Sequence, residues 1–415
     1  MDTTSRLARR LGLFDAVMIG LGAMIGAGIF AALAPASRAA GAGLTAGLAV
    51  AGFVAYCNAT SSAALAARYP ESGGTYAYGR HRLGPIWGFL AGWGFVIGKL
   101  ASCAAMALTF AHYAAPAFAR PLAFAAVVAM TAINAFGIGK TALATRLIVA
   151  FVLACLCVVV LAAAFGGNAD ASRLVPAAFD AHGVLQSAGF LFFAFAGYAR
   201  IATLGEEVVD PARTIPRAIP LALGVTLVVY AVVAVAALMS VGASALAQSP
   251  APLASAVESG RFAALSPIVR IGATVASLGV LLSLLAGIGR TAFAMASRRD
   301  LPAFLAEVDP RYRVPLRAEI TIGAIVAIIV LVADVRGAIG FSSFAVLVYY
   351  AIANASAFTL SATERRWPRA LSVAGVAGCA LLALSLPLTS IAGGALVLAA
   401  GVIVYALRHR RDRVR

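Results

Sequence analysis

Three glycines set in an apolar run carry the first chemical signal, in Gly22-Ala23-Met24-Ile25-Gly26-Ala27-Gly28-Ile29-Phe30. The run extends from about Leu13 to Ala34, long enough to cross a bilayer. Glycine weakens a helix, and a helix broken within lipid exposes backbone N–H and C=O groups. Hydrocarbon does not tolerate these, so such a break must line a cavity or be buried in protein. The alternative is a G-x-x-x-G packing face made by Gly22 and Gly26. A second signal is Lys99, deep in Gly94-Phe95-Val96-Ile97-Gly98-Lys99-Leu100-Ala101 and too far from either end to snorkel. An ammonium there requires an acidic partner, a carbonyl cage, an altered proton affinity or a bound solute. A third is the stretch from Gly189 to Glu207, in which Gly197 and Arg200 interrupt an aromatic, apolar run. Arg200 and Glu207 are seven residues apart, which puts them on one helical face about two turns from each other. Alternatively, Glu206 and Glu207 are solvated loop residues that cap the next segment. Ser277 and Ser283 are further polar groups in an apolar stretch, where a serine commonly bonds its own backbone.

The elements that must hold these residues are membrane helices. The chain has 415 residues, 62% hydrophobic and 12% charged, with a mean hydropathy of +0.96. That balance excludes a soluble domain. Twelve spans are read, at about 13–35, 43–67, 86–114, 121–137, 143–166, 183–205, 217–243, 266–297, 316–334, 339–361, 368–388 and 390–408. The first is too long for a signal-peptide core and is read as a retained span. No room remains for a soluble domain, and residues 250–262 are expected to form a short external helix. The net charge of +16 does not indicate nucleic acid, because its placement follows the membrane. Basic residues crowd alternate loops, such as Arg6, Arg9 and Arg10, then Arg68, Arg80 and Arg82, then Arg298 to Arg317, then Arg408 to Arg415. The intervening loops hold single ones, such as Arg38, Arg120 and Arg336. This is the positive-inside pattern, and it puts both termini in the cytoplasm. Five cysteines lie in apolar segments without disulfide or zinc spacing, and the four histidines are scattered, so no metal and no cofactor is assigned.

Interruptions in spans one and six fall at matching positions of two five-span halves. Matching interruptions of this kind point to a secondary transporter with an inverted repeat. The halves are about 13–166 and 183–361, with extra helices at about 368–408, all in one transmembrane domain spanning 1–415.

Four motifs in order resemble the amino acid–polyamine–organocation superfamily of permeases over nearly the whole chain. They are the first-span glycine run, Arg68-Tyr69-Pro70-Glu71-Ser72-Gly73-Gly74-Thr75-Tyr76, the loop from Glu206 through Pro211, Arg213, Pro216 and Arg217, and Arg290 to Pro302 followed by Asp309 to Pro315. The resemblance implies the LeuT-type fold, an all-α membrane protein with a 5+5 inverted repeat plus two helices and with helices one and six broken. It also implies amino acid transport across the cytoplasmic membrane by alternating access. The substrate carboxylate then meets the N–H groups of Ile25, Gly26, Ala27 and Gly28, at a half-helix N-terminus. The ammonium meets carbonyls of Phe193, Ala194 and Ala196, with Met24. Phe193, Phe195 and Tyr198 are candidate lid residues.

In the family, the region of Lys99 lines the pocket near the substrate side chain. Three roles stay open for it: contact with an anionic or polar side chain, a titrating coupling group, or a structural ion pair with Glu207 or Asp15. The coupling candidates are Lys99, Arg200, Glu207, Ser277 and Ser283. Proton is expected ahead of sodium as the co-transported ion, in symport or through exchange. Some proton-coupled members carry a span-five lysine, and the corresponding position here is Val152. Relatives often have glutamate where this chain has Ala64. The expected substrate is a neutral or acidic amino acid. A polyamine or other organic-amine carrier is the alternative, and a pocket lysine opposes it. No nucleotide-binding loop is present. A membrane enzyme would need clustered His, Asp or Glu within the spans, and a channel would not explain paired interruptions.

Overall fold

The first apolar helix stops at Met24 and a second starts at Gly28, so the glycine run divides one hydrophobic stretch in two. The computed structural model describes residues 11–26, 28–70, 73–137, 142–176, 178–202, 207–312 and 314–413. Helices α1 (Leu13–Met24), α2 (Gly28–Ala40) and α3 (Leu44–Arg68) come first. Then follow the short α4 (Thr75–Arg82), α5 (Pro85–Ala114), α6 (Ala119–Ala135) and α7 (Ala142–Phe165). The second interrupted stretch is α8 (Ala181–Phe195), a 3-10 turn at Ala196–Tyr198, and α9 (Ala199–Ala202). After it come α10 (Pro211–Gln248), the short α11 (Pro252–Glu258), α12 (Ser266–Ser297), α13 (Leu316–Val332), α14 (Val335–Phe358), α15 (Arg369–Ser385) and α16 (Leu388–Arg413).

The expectation of an all-α membrane protein is met. Among the described residues no β-strand occurs, only an isolated parallel bridge between Leu11 and Val208. Nine stretches among them are long and apolar enough to cross a bilayer, while α1 and α15 are apolar but shorter. The expected external helix near residues 250–262 is α11. Large apolar side chains also face outward, among them Leu147 on α7, Ile328 on α13 and Leu396 on α16, at 62%, 63% and 72% exposure. Outward apolar surface on so many helices is stable against lipid and not against water.

Inside, α2, α5, α8 and α14 bury most of their residues around the two interruptions. The long helix α10 kinks at Gly242, whose φ of 75° suits glycine. The kink frees carbonyls, and a side chain takes them: the Arg173 guanidinium donates to Met239 O at 2.9 Å and to Ser240 O at 2.5 Å.

One latch joins the loop helix α4 to the end of α12. Asp300, 2% exposed, accepts from Tyr76 Oη at 2.7 Å and from Arg80 Nη1 at 2.8 Å. Burial and the Asp300 carboxylate push the Tyr76 phenol well above its ordinary range, so it remains a donor. Asp300→Ala strands both donors, at a cost of about 2–3 kcal/mol, below a fully buried pair because Arg80 keeps some solvent. The melting temperature in detergent should fall by several degrees, and less for Asp300→Asn. An unchanged melting temperature for Asp300→Ala would show that the latch carries no stability.

Candidate functional site

The two interruptions touch backbone to backbone, and glycine is what permits it. A Cβ on Gly197 would lie 2.3 Å from Ala23 O and 2.7 Å from Met24 N. A Cβ on Gly28 would lie 2.5 Å from Ala194 Cα. Each break therefore seats its glycine on the other's main chain. Gly22 and Gly26 do not share one partner helix. A Cβ on Gly22 would meet Val149 of α7 at 3.1 Å, and one on Gly26 would meet Val280 of α12 at 2.2 Å. Ala27 lies outside the described residues.

Breaking a helix frees carbonyls, and here tyrosines take them. Tyr230 Oη of α10 donates to Met24 O at 2.5 Å and lies 3.1 Å from Ala194 O. Tyr350 Oη of α14 donates to Ala196 O at 3.2 Å. Tyr113 Oη of α5 donates to Phe30 O at 3.3 Å, and Tyr78 Oη to Ala202 O at 3.4 Å. Phe193 O accepts from Ala196 N–H. Thus Met24, Ala194 and Ala196, expected to offer bare carbonyls to an ammonium group, already have partners, and each keeps only its second lone pair. The sequence reading missed Tyr230 and Tyr350. Their signal was a phenol in the middle of an apolar helix, where a hydroxyl must find an acceptor.

A cavity of about 260 Å³ opens beside the first break. Gly22, Ile25, Gly26, Arg200, Glu207 and Ser283 line it, together with Arg290. The structure so gathers part of the expected site. Ser283 Oγ is spent on Gly279 O at 3.1 Å, and Ser277 Oγ is buried with no partner. Met24, Gly28, Lys99, Phe193, Ala194, Phe195, Ala196, Tyr198 and Ser277 are not in the lining. Phe195 and Tyr198 are fully buried, with ring centroids 5.2 Å from Tyr230 and 5.1 Å from Tyr350. They pack as core aromatics in this conformation.

Lys99 is 7% exposed and makes no hydrogen bond or ion pair among the described residues. Neither carboxylate suggested for it is its partner. Asp15 accepts from Arg146 Nε at 3.1 Å, and Glu207 lines the cavity with Arg200. Another buried carboxylate escaped the sequence reading. Glu319, near the start of α13, is 4% exposed, faces Gly289 of α12, and has an unpartnered Oε2.

This pair of interrupted helices beside a cavity can be compared with known proteins. The amino acid permease family profile matches residues 15–408. The chain belongs to the amino acid permease family. The permease is a transporter and not an enzyme. It is 62% identical over 409 residues to an uncharacterized transporter of Mycobacterium tuberculosis, covering 98% of this chain and 93% of that protein. It is 25% identical over 441 residues to a branched-chain amino acid permease of Bacillus subtilis, covering 98% and 94%. It is 27% identical over 390 residues to the human cationic amino acid transporter 4, covering 87% of this chain and 60% of that one.

The permease's glycines differ in tolerance. Gly28→Ala collides with the Ala194 main chain, which cannot move aside, whereas Gly22→Ala meets only side-chain methyls of Val149 and Thr145. Uptake by Gly28→Ala should be nearly lost at normal membrane levels, and Gly22→Ala should keep most of it. Equal activity of the two would refute the backbone-crossing argument. Tyr230→Phe leaves Met24 O and Ala194 O without this donor, a loss of about 1–3 kcal/mol. A lower melting temperature together with reduced uptake should follow, and native behaviour in both would show that other groups satisfy these carbonyls.

Proposed function

We propose that the permease is a secondary carrier of neutral or acidic amino acids in the cytoplasmic membrane, working by alternating access. The observation that carries this reading is the crossing of two interrupted helices, at Gly197 on Ala23 and at Gly28 on Ala194, beside a cavity. Broken helices that meet inside a membrane supply both helix-end polarities to a solute. The N-terminus of α2 offers N–H groups and a positive dipole end to a carboxylate. The second lone pairs of Met24 and Ala194 serve an ammonium group.

In this reading the chain has twelve spans in a LeuT-type arrangement. Residues 13–166 form one five-span repeat, 183–361 the inverted other, and 368–408 two added helices. The positive-inside pattern puts both termini in the cytoplasm. The cavity lined by Leu11, Glu207 and Arg290 then opens toward the cytoplasm.

Lys99 supports a neutral or acidic substrate. Its ammonium repels a second cation at low dielectric. The Bacillus relative is named for branched-chain amino acids, which are neutral. The human relative is named for cationic ones, and Lys99 is the residue that argues against them here. Proton-coupled symport or exchange is favoured over sodium, because Arg200 and Arg290 share the cavity beside the first break and oppose a bound metal cation.

Uptake into proteoliposomes with imposed proton or sodium gradients tests this. A proton gradient, or counter-substrate on the far side, should drive accumulation of neutral or acidic amino acids, and Gly26→Leu should abolish it. Lys99→Ala should change which amino acids compete if Lys99 meets the side chain, or remove the pH dependence if it titrates in the cycle. High-affinity uptake of arginine by the native protein would overturn the assignment of substrate charge.

A further inference from the structure

Glu319 stands in the first turn of α13, where a carboxylate ordinarily meets water and the positive helix end. Here the side chain is buried instead. Its space is made by a glycine, since a Cβ on Gly289 of α12 would lie 2.3 Å from Oε1. Oε2 is buried and has no hydrogen-bond partner among the described residues. One turn further along α13, a Cβ on Gly323 would lie 2.4 Å from Thr131 Oγ1 of α6, which is also buried and unpartnered. A carboxyl in such a place must carry a proton or, once ionised, draw in a cation. A hydroxyl facing the same helix suits an acid that changes its protonation, because it donates to the ionised form and accepts from the protonated one.

The groups packed around the acid point to one cation. α13 lies against α5, α6, α12 and the turn at Ala303–Ala306. From α12, Arg290 bears on Glu319 through space without bonding Oε2. From α5, Cys103 comes within electrostatic reach, and Lys99, one turn away, acts on that thiol. Arg317, on α13 itself, is paired with Glu307, which follows the turn. Arg290 also lines the cavity beside Gly26, together with Arg200 and Glu207, and Glu319 lies outside that lining. Arg290 stands close enough to Arg200 for the two cations to repel. It therefore has two carboxylates to choose between. Glu207 lies between α9 and α10 on the cavity, and Glu319 lies behind the cavity wall on α13.

We propose that Glu319 is the proton-binding group that couples this carrier to a proton gradient, and that Arg290 carries its charge state to the cavity beside Gly26. The proposal rests on the proton-coupled carrier reading and names its coupling site. With Oε2 protonated, Glu319 is neutral and Arg290 is drawn to Glu207, which favours a closed cavity. When that O–H bond breaks, the proton passes to water on the cytoplasmic side, and the carboxylate competes for Arg290, which favours an open one. Proton and amino acid then bind at different faces of α12, so the solute does not share its site with the ion it travels with.

Proteoliposome transport tests it, with an equimolar mixture of the twenty tritiated L-amino acids as probe. Glu319→Gln, which fixes the neutral form, should abolish accumulation driven by a proton gradient. Exchange of labelled for unlabelled amino acid without a gradient should persist at a lower rate and lose its pH dependence. A merely structural role would lower both activities and leave the pH profile in place. Glu319→Asp should restore proton-driven accumulation, with the midpoint of its pH profile moved by about half a pH unit or more. Should Glu319→Gln fail to fold, Glu319→Asp decides, and an unmoved midpoint would count against the site. Proton-driven accumulation with a native pH profile in Glu319→Gln would overturn the coupling site and leave the carrier reading standing. So would accumulation by the native protein that follows sodium alone, or exchange by it that is indifferent to pH. No transport of any amino acid by the native protein would overturn the carrier reading and the coupling site together.

Discussion

A carbonyl freed inside a membrane protein must find a donor, and the centre of this permease is organised around that requirement. The two helix breaks release Met24 O, Ala194 O and Ala196 O where water is scarce. Each unpaired group would cost several kcal/mol in hydrocarbon. Tyr230 and Tyr350 reach in from α10 and α14 to meet them. Phenols suit the task, because the ring packs as a hydrophobe and the hydroxyl adds one donor at its tip. The Tyr230 ring packs against Phe195, and the Tyr350 ring against Phe192, Tyr198 and Tyr349, so the donors are held in place by the packing they take part in. The same solution recurs at the α10 kink, where Arg173 takes the carbonyls around Gly242.

The residues that break the helices were readable from the sequence, and the residues that make the breaks tolerable were not. Gly26, Gly28 and Gly197 stand out because glycine in an apolar helix is a local anomaly. Nothing local marks Tyr230 as the partner of Met24, 206 positions away, or Tyr350 as the partner of Ala196, 154 positions away. The phenol partners of the carbonyls at 194 and 196 stayed hidden for that reason. Arg200 stood out because a charge in lipid must face protein or a cavity, and it lines one with Glu207 and Gly26, a grouping that the seven-residue spacing of Arg200 and Glu207 did not itself reveal. The suggested pairing of Lys99 with Asp15 missed a nearer claim, since Arg146 of α7 holds that carboxylate. Glu319 was passed over because it falls near a helix start, where an acidic residue looks like an ordinary first-turn charge.

The charged groups are sorted by position along the first interrupted helix. On the α1 side, Arg200, Glu207 and Arg290 surround the cavity that reaches Gly26. On the α2 side, Arg38, Asp334 and Arg336 line a second cavity of about 270 Å³. Between them lies a neutral zone of glycine, alanine and aromatic rings, which includes the backbone contacts of Gly28 and Gly197 and the phenol–carbonyl bonds of Tyr230 and Tyr350. A zwitterion passing through would exchange charged partners at either end for helix-end dipoles in the middle. Dipoles bind its two charges without the strong, long-range attraction that full charges exert, and such sites release a ligand as readily as they hold it.

The contact between the breaks constrains how the centre can move. Gly28 sits on Ala194 of α8, and Gly197 sits on Ala23 of α1, so each interruption touches both halves of the other. A displacement of α1 alone would drive Ala23 O into the Gly197 main chain or pull it away from contact. Close-packed interiors resist such graded shifts and favour discrete rearrangements. The tyrosines add to this constraint, because Tyr230 bonds Met24 of one break and Ala194 of the other through a single hydroxyl. A hydroxyl has one proton to donate, so it can fully satisfy one of these carbonyls at a time. When α1 moves relative to α8, that proton can follow whichever carbonyl stays closer, and the cost of separating the two breaks falls on one hydrogen bond instead of two.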